Sequence, residues 1–178
     1  MFFTTDRDHF VFATDLDYLD ADFGLVDIFA DPDFTCPKTI GFWKQQFKQK
    51  RSAKYSAEEL EAIVAVALDL TPVFNSYNEI KTAIFAKGNQ GALMRAKRQF
   101  AAFALNLAAY ELLYDLSFPA GLGANTALDL LDLTDAATAG EAFAEVEGYI
   151  LAESQLGLAN ELADAINNGA GLNLICEL

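Results

Sequence analysis

Histidine and cysteine are nearly missing from this chain. Its 178 residues hold one His, His9, and two Cys, Cys36 and Cys176. A zinc site needs four ligands at short spacing, and a serine or cysteine nucleophile needs a base beside it. Neither chemistry has its raw material here. No stretch of about 18 apolar residues is free of charge, so no membrane-spanning helix and no membrane insertion is expected. Strand-like alternation is almost absent, and no repeat recurs at a fixed period. The opening Met1-Phe2-Phe3-Thr4-Thr5-Asp6 has neither the basic stretch nor the apolar core of a secretory leader. That leaves a cytosolic chain or one whose leader has been removed.

Apolar residues are plentiful: 53% of the chain, with 15 Phe and a single Trp. A chain of this length buries about 70% of its surface and has enough apolar material for one core. Charge is uneven. Residues 1–35 carry Arg7 against nine Asp, net −8; residues 36–98 carry eleven Lys and Arg against five acids, net +6. Residues 99–178 carry twelve acids and no Lys or Arg, net −12, which completes the total of −14. Nucleic acid is a poor partner, because the basic part is flanked by acid and lacks an aromatic-interleaved basic face. Opposite charge within one chain favours folding back on itself or joining one copy to the next.

The division gives two parts, an acidic aromatic arm over residues 1–35 and a helical domain over 36–178. In the arm, Phe10 and Phe12 lead into a helical spacing of Leu16, Leu19, Phe23 and Val26, with aspartates between them. Asp15, Asp17, Asp20 and Asp22 offer hard oxygen ligands for calcium. The order of an EF-hand loop is missing, so solvated acid is the favoured reading and no cofactor is expected.

The domain reads as all-α. The spacing predicts a short helix over 42–50 burying Phe42 or Trp43 together with Phe47, then a basic loop with Lys48, Lys50, Arg51 and Lys54. Ser56-Ala57-Glu58-Glu59 is a capping box, and the helix after it buries Leu60, Ile63, Val64, Ala67 and Leu68. Asn75 or Ser76 caps a helix carrying Tyr77, Ile80, Ile84 and Phe85, which stops at Gly88. The longest helix spans about 90–116. It is apolar nearly all round, through Phe100, Phe103, Leu107, Tyr110 and Tyr114, and is therefore the central one of a compact multi-helix bundle. Helical pieces follow over 126–133, 138–153 and 154–168, with Thr134, Asp135 and Ser154 as caps and Asn167-Asn168-Gly169 as the close.

Candidate chemistry is thin. Glu58-Glu59 and Glu145 with Glu147 have no glycosidase-like spacing. Gly88-Asn89-Gln90-Gly91 lacks the Lys-Ser/Thr of a phosphate loop, which leaves a turn and cap. Gln99 and Asn106, seven apart, share a face and are expected to form a buried polar link. Cys36 and Cys176 are either a disulfide or two unrelated buried thiols. The disulfide, which would tie the start of the domain to its end in an oxidising compartment, is the favoured reading.

Cys36-x-x-Thr39-x-Gly41-Phe42-Trp43-Lys44 resembles the signature of a group of uncharacterised secreted or surface-attached helical domains of bacteria and archaea. That group is also similar in an Ala-rich helix, matched by Gln99-Phe100-Ala101-Ala102-Phe103-Ala104-Leu105-Asn106. Its end is matched by Asn167-Asn168-Gly169 and Cys176. The chain departs from it at Gln45-Gln46-Phe47, where the group shows Asn-His-Pro, and the first 35 residues have no counterpart. The resemblance implies an exported helical domain with paired terminal cysteines and supplies no activity. The expected function is a non-enzymatic extracellular or cell-surface structural protein that self-assembles as a homo-oligomer or polymer through its arm. The alternative is a monomeric surface module for a glycan, peptide or calcium-bridged partner.

Overall fold

In the computed structural model, which describes residues 36–172, the first helix is α1 (Ile40–Lys48). Thr39 precedes it in extended backbone, and Ile40, Trp43, Gln46 and Phe47 form its buried stripe. Gln49 stops it in the left-handed conformation, φ 47°, and its N–H bonds back to the Gln46 carbonyl. The helix therefore begins two residues before the predicted one. The described residues belong to a unit that runs from Pro32 to Leu178. The expected arm, with Phe10, Phe12, Leu16, Leu19, Phe23, Val26 and the calcium candidates Asp15, Asp17, Asp20 and Asp22, lies outside them, as does Cys176.

Helix α2 (Ala57–Leu70) starts at the predicted capping box: the Ser56 hydroxyl accepts from Glu59 N–H, and Glu59 accepts from Ser56 N–H at 2.7 Å. Leu60, Ile63, Val64 and Ala67 are buried, while Leu68 packs on the core from its edge. Ser76 caps α3 (Tyr77–Phe85), which buries Ile80, Ala83 and Ile84. Helix α4 (Ala92–Glu111) is the centre, packed by α2, α3, α5 and α6. Every residue from 100 to 109 is buried. Five of these ten are Ala (101, 102, 104, 108 and 109), and small side chains let neighbouring helices approach closely on several sides.

The central helix is shorter than predicted. After Glu111 a 3-10 turn, Leu113–Asp115, leads away from the core, and Tyr114 stands 86% exposed. The chain turns back across α4 at Gly121, φ 126°. A Cβ there would sit 2.6 Å from both the Asn106 carbonyl oxygen and the Tyr110 nitrogen, so only glycine fits. Gly121 N–H donates to the Cys36 carbonyl and Leu122 N–H to the Asn106 carbonyl.

The helix predicted over 126–133 is corrected to two bridge residues followed by a turn over 131–133. Ala127 pairs with Thr138 and Leu128 with Leu172 as isolated antiparallel bridges. The backbone bonds run across the chain, Leu128 N–H to the Ala137 carbonyl and Asp129 N–H to the Gly171 carbonyl. Leu128 is buried and Leu131 is 79% exposed, so the three-residue spacing that suggested a helix is not the pattern of burial.

Helix α5 (Ala139–Leu151) is capped by Thr138, four residues after the expected Thr134. Its Phe143 stacks on Phe100 at 4.6 Å and meets Phe103 edge-on at 5.3 Å. Burying each such ring contributes about 1.5–3 kcal/mol. Helix α6 (Leu156–Asn167) follows Gln155, which is left-handed, in place of the expected Ser154 cap. It ends at Asn167-Asn168-Gly169 as predicted, with Gly169 at φ 79°. Among the described residues no helix is long and apolar enough to cross a membrane.

Candidate functional site

The Cys36–Lys44 motif is stitched to the centre of the fold by one side chain. Asn106, fully buried on α4, accepts at Oδ1 from Lys38 N–H at 2.8 Å and from the Trp43 indole N–H at 3.3 Å. Its Nδ2 donates to the Lys38 carbonyl and to Asn167 Oδ1, both at 2.9 Å. Asn167 passes the chain of bonds on to the Gln99 carbonyl at 2.9 Å, and Gln99 Nε2 donates to Asp164 at 2.7 Å. The expected link between Gln99 and Asn106 therefore runs through Asn167 of α6, and Gln99 itself is half-buried. Both donors and both acceptor positions of Asn106 are spent on holding the fold. Trp43, fully buried, is a core anchor. Thr39 and Gly41 are exposed, and Phe42 and Lys44 are half-buried.

A second assembly surrounds Phe42. Its ring lies 5.3 Å from Trp43, 6.0 Å from Tyr55 and 6.0 Å from Phe118. The ammoniums of Lys38 and Lys54 stand 5.6 and 5.4 Å from the Phe118 centroid, within cation–π range. Gln46 is buried and accepts from Lys54 N–H at 2.7 Å and Tyr55 N–H at 3.2 Å. It thereby shapes the loop that carries Tyr55. The only available signal was a polar residue three positions after Trp43 on an otherwise apolar stripe. The Tyr55 hydroxyl is buried without a hydrogen-bond partner, and burial, with the Glu59 charge nearby, pushes it well above the usual phenol range. Burial opposes ionisation of Glu59 too. Hydrogen bonds from Ser56 and Ser117 outweigh it and hold the carboxyl below its ordinary value.

On the far end of α1 the cations gather. Burial, then the charges of Arg98 and Lys48, push the Lys44 ammonium below its usual value. Lys48 Nζ stands 5.9 Å from the Phe85 ring. A cleft of about 290 Å³ opens between α3 and α4, bounded by Phe74, Asn78, Thr82, Met94 and Lys97. Of the carboxylates considered for acid–base work, Glu145 is committed to Thr134 and Tyr149, and Glu59 to Ser56 and Ser117. Among the described residues no group of three or more His, Cys, Asp or Glu is placed to hold a metal.

Cys36 is 7% exposed, and among the described residues there is no free thiol. Comparison with family models, with curated proteins and with solved structures finds no match, so the geometry alone carries the functional reading.

Proposed function

We propose that this chain is a non-enzymatic extracellular structural or adhesive protein whose copies assemble head to tail, residues 1–35 of one engaging the helical body of the next. One observation carries the reading: the helices sort by charge. Helix α1 and the first half of α4 contribute Lys44, Lys48, Arg95, Lys97 and Arg98. Helices α5 and α6 carry Glu141, Glu145, Glu147, Glu161 and Asp164 and no base. A body with a basic part, preceded by a segment of nine Asp, is complementary to its own copies, and a contact that does not close generates filaments. The disulfide between Cys36 and Cys176 belongs to the same reading, as the closure of a body that works outside the reducing cytoplasm. Electron microscopy of the full chain, beside a chain lacking residues 1–30, tests it. Extended assemblies from the first and single particles from the second are expected. Monodisperse particles from the full chain at every concentration overturn the proposal.

The cleft between α3 and α4 supports a second reading, a monomeric surface module for a glycan, peptide or calcium-bridged partner. A sedimentation coefficient independent of concentration, with stability that rises on adding calcium, would favour that reading over assembly.

A further inference from the structure

Lys44 and Lys48 lie one turn apart on α1, where like charges repel. The Arg98 guanidinium of α4 acts on the Lys44 charge, and it lies 4.0 Å from where a Cβ on Gly88 would stand. Among the described residues no carboxylate forms an ion pair with any of the three, and Arg98 Nε is buried without an acceptor. Glu61 of α2 acts on the Tyr77 hydroxyl. Three cations with no ion-pair partner among the described residues are an odd arrangement in a chain with 26 acids and 12 bases.

Three of the acids of α5 and α6 are engaged elsewhere. Glu141 accepts from Ala137 N–H, Glu145 from Thr134 and Tyr149, and Asp164 from Gln99 and Asn168. Residues 15–33 hold seven Asp and no Lys or Arg, with Phe23 among them. We propose that Lys44, Lys48 and Arg98, with Phe85 beside them, form the dock for residues 15–33 of a second copy. This rests on the self-assembly proposed above and gives it an address. Carboxylates of the incoming segment pair with the two ammoniums and with the accessible part of the Arg98 guanidinium. The Phe85 ring, 37% exposed, offers apolar area to the aromatic residues between the aspartates.

Charge reversal in the full-length chain tests the dock. K44E/K48E should lower the association constant at least tenfold in sedimentation velocity while its circular dichroism stays helical. D20K/D22K should do the same. Mixing the two variants should restore association, because the native segment of K44E/K48E then meets the native dock of D20K/D22K. If the double lysine variant loses its helical signal, K48E alone, at an exposed position, should give a smaller loss in the same direction. Assembly of K44E/K48E as tight as that of the native chain places the dock elsewhere and leaves self-assembly standing. Failure of the mixture to recover overturns residues 15–33 as the occupant. A native chain that stays monomeric removes the self-assembly reading and the dock with it.

Discussion

Asn106 is the residue on which the described fold is most exposed to a single change. Asn106→Ala would break the bonds to Lys38 N–H, the Lys38 carbonyl, the Trp43 indole N–H and Asn167 Oδ1, the last two of them buried. Each buried polar group left without a partner costs about 1–3 kcal/mol, so a loss of about 3 kcal/mol or more is expected in urea unfolding. A loss below about 1 kcal/mol would mean that water replaces the amide and that the network does not hold the motif. Tyr55 presents the opposite case. Its hydroxyl is already buried without a partner, so Tyr55→Phe removes a desolvated group at no hydrogen-bond cost. The variant should be as stable as the native chain or more so by up to about 2 kcal/mol, whereas a clear loss in the same titration would reveal an acceptor for the hydroxyl. The two sites also differ in how far the chain announces them. A lone Trp next to Gly and Phe, and an Asn within an apolar helical face, mark themselves as anchor and polar link. Nothing local marks Tyr55, whose burial depends on Gln46 and on Phe118, 63 residues away in sequence.

At the scale of elements, Glu59 couples two pieces that are distant along the chain. It closes the capping box of α2 and, through its other oxygen, accepts from Ser117 N–H in the loop that leaves α4. Because these bonds favour the charged carboxylate, the folded-state pKa lies below the ordinary value of 4.5. The stabilisation is therefore present in full above that ordinary value and is lost as the pH falls through the folded-state value. Glu59→Gln should flatten the acid side of the stability profile below about pH 4.5 and leave the slope near neutrality unchanged, as read by thermal unfolding between pH 3 and 7. The side chain is mostly solvated, so the difference should stay under about 1 kcal/mol. An unaltered acid limb would show that the Ser117 contact is not formed in solution. The box itself was legible because a Ser and a Glu three residues apart satisfy each other's backbone locally. The helices with i, i+3, i+4 apolar stripes and their own caps were legible for the same reason. The segment 126–133 was not: its bonding partners, Ala137 and Gly171, lie 9 to 42 residues further on, beyond what a local pattern can report. The end of α4 escaped in the same way, since Leu113 and Leu116 kept an apolar spacing while Gly121 and its loop took the place beside the helix.

At the scale of the whole chain, the question is what keeps the two ends of the helical body together. Asn106 bonds both to Lys38, two residues after Cys36, and to Asn167, nine residues before Cys176. Leu172 is held against Leu128, and the four residues from there to Cys176 span at most about 14 Å. Folding thus fixes the backbone around Cys36 and as far as Leu172 before any covalent bond is required. The closed loop of the proposed disulfide would cover nearly all of residues 36–176, and constraining so long a loop is worth about 3–5 kcal/mol in the chain-entropy account. Dithiothreitol should therefore lower the unfolding midpoint of the native chain and leave that of Cys36→Ser unchanged, with the two ending at the same stability. Mass spectrometry of unreduced native material should find the chain two hydrogens lighter than after reduction. A native chain of full reduced mass, with a midpoint indifferent to reductant, would leave the Asn106 network and helix packing to hold the ends together. It would also remove the chemical ground for placing this protein outside the cytoplasm, while the charge layout that argues for assembly would stand.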